Sequence, residues 1–136
     1  MNIKELKEMS QIVRSDIVTM VHKAGSGHPG GSLSAADLMV GLYFGDIIKV
    51  DPQNPEWDGR DRFILSKGHV APVVYSVLAR KGFFPVEELW TLRQLGSILQ
   101  GHPHKGSTPG LDCSSGSLGQ GLSISCGLAI GFKKQK

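Results

Sequence analysis

Apolar residues in this chain fall into helical registers, and the registers are separated by long stretches that are nearly free of them. Ile3, Leu6, Met9, Val13, Ile17, Met20 and Val21 recur at three- and four-residue steps, the stripe of a helix over Ile3–Ala24. Asn2 with Glu5 makes a capping pair at its start, Lys23 suits its last turn, and Gly25 supplies the stop. A second helix is predicted from about Ala35 to Phe44, with Ser34 as N-cap and Leu33 and Leu38 placed as a hydrophobic staple. Asp51–Gly59 carries turn chemistry. Arg62-Phe-Ile-Leu65 then reads as a short apolar strand, running into Ser66-Lys-Gly-His69 and a third helix, Val70–Lys81. Pro85 opens a fourth helix with Glu87 and Glu88 in its first turn, ending near Gly96, and a fifth spans Leu118–Lys134.

A lone apolar strand cannot satisfy its own backbone, so five helices and one strand form an unfinished set. Strand, crossover helices and then a halt where a second strand is due predict the front half of an α/β domain, with helices flanking a parallel sheet. The chain reads as one partial domain over residues 1–136, without internal repeats. Its sheet is expected from further residues or from another molecule.

Composition narrows the function classes. Apolar content of 40% and charged content of 20% suit a soluble globular chain. The net charge of +3 rests largely on Lys133, Lys134 and Lys136, so there is no basic face for nucleic acid. Cys113 and Cys126 are too few for a disulfide scaffold and lack metal-ligand spacing, as expected in a reducing compartment. Neither an apolar leader nor a run of about 18 apolar residues is present, so the expected location is cytoplasmic, with no membrane partner.

The chemistry gathers in the stretches between the registers. Gly25–Gly31 carries His28, Ser66–His69 carries His69, and the glycine-rich Gly101–Gly121 carries His102 and His104. His69 stands where a strand hands over to a helix, the edge of an α/β sheet at which ligands bind; a tight turn with a surface histidine reads equally well there. Imidazole suits proton transfer and polar contacts near neutral pH, and three such loops together favour a shared site. A metal centre of His28, His69 and His102 lacks the closely paired ligands of a zinc site, and Ser66 and Cys113 lack a nucleophile's surroundings. Gly116-Ser-Leu-Gly-Gln-Gly121 ahead of a helix suggests phosphate cradling.

Taken together, Ser26-Gly-His-Pro-Gly30, Phe63-Ile-Leu-Ser-Lys-Gly-His69, Gly101-His-Pro103 and Gly116–Gly121 resemble, in order and over the whole chain, the N-terminal part of transketolase. The likeness is nearest to the N-terminal subunit of a split transketolase, the first half of its thiamine-diphosphate-binding domain. It implies transfer of a two-carbon glycolaldehyde unit from a ketose phosphate to an aldose phosphate, with thiamine diphosphate as cofactor. By this resemblance His28 contacts the sugar and moves protons, His102 holds the donor ketose, and His69 contacts the diphosphate. Gly116, Ser117 and Leu118 contact the aminopyrimidine, chiefly through their backbone, which replaces the phosphate reading of that loop. Many transketolases have proline where Ser117 stands, a mild change for a backbone contact. The resemblance also implies a Mg²⁺ or Ca²⁺ ion whose ligands lie outside this chain, a C-terminal subunit with the pyrimidine-binding domain, and a homo-oligomer. The isolated chain is then expected to be inactive. The alternatives are a shortened non-catalytic paralogue acting as an assembly module, and an enzyme resembling 1-deoxy-D-xylulose-5-phosphate synthase.

Overall fold

Helices supply the regular structure, and no strand forms among residues 1–135, the residues described by the computed structural model. Lys136 lies outside them.

Helix α1 (Ile3–Ala24) has the expected bounds. Asn2 accepts from the Glu5 backbone N–H at 3.0 Å, the Glu5 carboxylate accepts from the Asn2 N–H at 2.7 Å, and Gly25 closes the helix at φ 60°. Its stripe delivers Val13, Ile17 and Met20 to the core fully buried.

Helix α2 (Pro29–Phe44) begins six residues earlier than the pattern predicts. Pro29 occupies the first turn, where its fixed φ fits and its missing N–H costs nothing. Ser34 is therefore not a cap: its hydroxyl donates to the Gly31 carbonyl at 2.9 Å. Leu38, expected in a staple, is 66% exposed. Gly30 and Gly31 thus lie inside the helix rather than in a loop, and packing explains Gly31, where a Cβ would stand 2.6 Å from Val70 Cγ1. Close approach to the next element outweighs the poor helix propensity of glycine.

A 3₁₀ turn, Gly68–Val70, leads into α3 (Ala71–Lys81), the centre of the molecule. Every residue from Ala71 to Ala79 is buried, and Gly82 at φ 99° ends the helix. Helices α1, α2 and α3 pack on one another. Asp16 of α1, buried at 4% exposure, ties it to α3 by accepting from Ser76 Oγ at 2.7 Å and from Arg80 at 2.8 and 2.9 Å. Arg14 grips Asp37 of α2 through two hydrogen bonds of 2.7 and 3.0 Å. That grip holds the Asp37 carboxyl below its ordinary pKa and raises that of the guanidinium.

The helix predicted after Pro85 is a short 3₁₀ segment, Val86–Thr91, and does not continue to Gly96. The Thr91 hydroxyl donates to the Glu88 carbonyl at 2.8 Å, and the Arg93 N–H donates forward to the Leu99 carbonyl at 2.9 Å, so the chain turns. Arg62–Leu65 forms no ladder; the Phe63 N–H donates instead to Asp112 Oδ2 at 2.8 Å. The last helix, α4 (Gln120–Lys134), starts two residues later than predicted, after Gly119 at φ 82°, and buries only Gly121.

Candidate functional site

The histidine loops meet. The rings of His28 and His69 stand edge to face, with centroids 5.2 Å apart at 64°. His28 comes from the N-terminus of α2, and His69 from the 3₁₀ turn that leads into α3, whose inward side is fixed by buried Gly68 and Val70.

Glycine explains how the third loop reaches them. A Cβ on Gly68 would stand 2.7 Å from the Ser115 carbonyl oxygen, and one on Gly121 would stand 2.7 Å from Ser66 Cα. The strand-like segment and the glycine-rich loop are therefore pressed backbone to backbone, with the Gly119 N–H on the Ser66 carbonyl at 3.3 Å. His102 follows, its Cδ2 lying 3.8 Å from where a Gly116 Cβ would be. A groove of about 520 Å³ runs between Gly101–His104 and Ser114–Gly116. Leu118 is exposed just beyond this loop, at 66%. His104 is occupied locally, its Nδ1 2.8 Å from Ser107 Oγ.

The glycine-rich loop is anchored despite its composition. Leu99 and Leu111 are buried, and Thr108 donates to the Ile98 carbonyl at 2.6 Å. The Tyr75 hydroxyl on α3 donates to the Gln100 carbonyl at 2.8 Å. Burial pushes that phenol far above its ordinary pKa, so it remains a donor through neutral and alkaline pH. Asp112 is the other anchor. Its side chain, 7% exposed, pairs with the Arg60 guanidinium, which is 8% exposed, and accepts from the Phe63 N–H. Nothing local in a Gly/Ser-rich loop announces Asp112; an acidic residue there, against the Arg60/Arg62 pair, was the available signal. Arg93 is a second residue the pattern did not single out, donating to Ser26 Oγ at 2.9 Å.

The donor set is suited to an anionic ligand. Residues 25–31, 66–69, 100–104 and 114–121 include no Asp or Glu, whereas Lys67 Nζ lies 3.9 Å from the position of a Gly31 Cβ. Ser115 Oγ is buried without a partner, and among the described residues the backbone N–H groups of Gly116, Ser117 and Leu118 donate to no other backbone group. The buried hydroxyl lacks an acceptor, while the three amides belong to exposed residues and are open to solvent or a ligand. A lysine and a lining without carboxylates fit an anionic group such as a diphosphate. No group of three or more His, Cys, Asp and Glu side chains able to hold a metal ion occurs among the described residues. None of the described helices is long and apolar enough to cross a membrane.

Known proteins share both the sequence and the shape. A 6-deoxy-6-sulfo-D-fructose transketolase subunit of Clostridium sp. (strain MSTE9) is 44% identical over 126 residues, 93% of this chain and 46% of that protein. An apulose-4-phosphate transketolase subunit of Phocaeicola vulgatus is 42% identical over 136 residues, 100% of this chain and 48% of that one. Transketolase from Leishmania mexicana superposes with a TM-score of 0.88 at 34% identity, over 92% of this chain and 19% of that structure. The chain thus spans about half the length of the two subunits and about a fifth of the longer transketolase. The family described as "Transketolase, thiamine diphosphate binding domain" matches residues 6–136, and the chain belongs to it.

Proposed function

We propose that this chain is the front part of a transketolase that moves a two-carbon glycolaldehyde unit from a ketose phosphate to an aldose phosphate. The reading is supported by three contacts: the edge-to-face approach of His28 and His69, the press of Gly68 on Ser115, and the approach of His102 to Gly116. Bound thiamine diphosphate supplies the nucleophilic carbon that carries the two-carbon unit. His69 and Lys67 would hold its diphosphate, and the amides of Gly116, Ser117 and Leu118 would hold its aminopyrimidine. His28 and His102 orient the sugar hydroxyls and exchange protons with them, as imidazole does near neutral pH.

The rest of the machinery lies elsewhere in this reading. A Mg²⁺ or Ca²⁺ ion on the diphosphate takes its ligands from residues outside this chain. A partner subunit brings the pyrimidine-binding domain, and the assembly is a cytoplasmic oligomer. The chain, residues 1–136, is one partial domain. Arg62–Leu65 and α4 belong to a parallel α/β sheet layer whose other strands pair with Phe63–Leu65.

The test is turnover of a ketose phosphate and aldose phosphate pair with thiamine diphosphate and Mg²⁺, with and without the completing residues and the partner. Activity only in the completed assembly supports the proposal. No turnover in any combination identifies a non-catalytic module, and turnover of pyruvate instead of a ketose identifies a synthase.

A further inference from the structure

Arg93 is the residue on which two of the loops converge, and its backbone is under strain. It adopts φ 63°, a left-handed conformation that a residue with a Cβ rarely takes. Its neighbours hold it there: Leu92 is buried at 2% exposure, and the Arg93 N–H bonds to the Leu99 carbonyl at 2.9 Å. From that position the side chain lies across Gly101, where a Cβ would stand 2.9 Å from Cζ and from one terminal nitrogen of the guanidinium. The other terminal nitrogen donates to Ser26 Oγ at 2.9 Å, 67 residues away in sequence. One planar group therefore touches the residue two before His28 and the residue one before His102. The far side of that second segment is held by the Tyr75 hydroxyl on the Gln100 carbonyl.

We propose that Arg93 is a positioning residue that pins the His28 loop to the His102 loop and sets the separation of the two imidazoles. A guanidinium is required because the task needs a donor at one end and a flat face against glycine at the other, which an ammonium lacks. Gly101 is required in turn because any side chain there displaces the guanidinium. Its consequence for turnover rests on reading His28 and His102 as substrate-facing; the geometric clamp does not.

The experiment follows the imidazole resonances of His28 and His102 by NMR in the 136-residue chain, with a thermal melt of each variant. Arg93→Gly deletes the clamp and relieves the left-handed strain, so folding is kept. Ser26→Ala and Gly101→Ala attack the same contact from its two ends. Both imidazole resonances are expected to shift in Arg93→Gly and Gly101→Ala, His28 alone in Ser26→Ala, and both partway in Arg93→Lys. A lower melting temperature with both imidazoles at their wild-type positions in Arg93→Gly and Gly101→Ala overturns the proposal. In the completed enzyme Arg93→Gly is then expected to lower kcat while leaving thiamine diphosphate affinity unchanged. Shifted imidazoles with unchanged kcat uphold the clamp and count against the catalytic reading of the histidines.

Discussion

Helices α3 and α4 have similar texts and opposite surroundings. Both are rich in small and apolar residues around their whole circumference, the composition of a helix meant to be covered on all sides. In α3 that expectation is met, because Ala71–Ala79 are enclosed by α1, α2 and the Val86–Thr91 turn. In α4 it is not: Leu122 is 69% exposed and Phe132 40%, the latter under the Arg62 guanidinium. The α1–α3 half encloses its own core, whereas the α4 half presents a surface that a covering layer would stabilise. The histidine loops lie along the seam, carried by the N-terminus of α2 and the turn before α3 on one side and by the loop before α4 on the other.

The sharpest way to break this comparison is to truncate one leucine on each side. Leu78→Ala in α3 is expected to cost about 2–5 kcal/mol, and Leu122→Ala within about 0.5 kcal/mol, read from chemical denaturation of the chain. Equal costs would mean that α4 is already covered in solution. Asp16→Ala comes next, at about 2 kcal/mol, because it strips Ser76 and the partly exposed Arg80 of their acceptor. At the seam, His69→Ala should weaken thiamine diphosphate binding by the completed enzyme roughly tenfold or more, whereas His102→Ala should mainly lower donor turnover. Unchanged cofactor affinity in the first variant, measured by calorimetry, would remove His69 from the site.

The smallest effect belongs to the exposed Arg14–Asp37 pair. Its Asp37 carboxyl is held below the ordinary value of 3.8, first by the Arg14 hydrogen bond. The stabilisation is therefore complete above that value and is lost as pH falls through the lower folded-state value. Solvent keeps it below about 1 kcal/mol. Asp37→Asn should flatten that part of the acid melting profile, and an identical profile in both proteins would show that the pair contributes nothing.

Where local signals decide the structure, the sequence was readable. α1 was legible to the residue because its stripe, capping box and terminal glycine all act within a few positions. The start of α2 was not, since Gly31 reads as a breaker until Val70 is seen against it. The segment after Pro85 carried helical acids and apolar spacing, yet the Thr91 hydroxyl and the forward bond from Arg93 to Leu99 turned it early. The expected strand at Arg62–Leu65 has no neighbour to pair with among the described residues, so its pattern stands without a ladder. Among the candidate site residues, His28, His69 and His102 stood out by their glycine-rich settings. Arg93 and Asp112 did not, because their partners lie 67 and about 50 residues away and leave no periodic trace.

The backbone-to-backbone press of Gly68 on Ser115 and of Gly121 on Ser66 also bears on engineering. Libraries that diversify this region can vary the exposed histidine neighbours, but the two glycines make the facing loops a single inherited unit. Recombination between homologous parents should therefore keep residues 66–69 and 115–121 from the same parent, since a crossover between them risks mismatching surfaces that meet without any side chain to adjust.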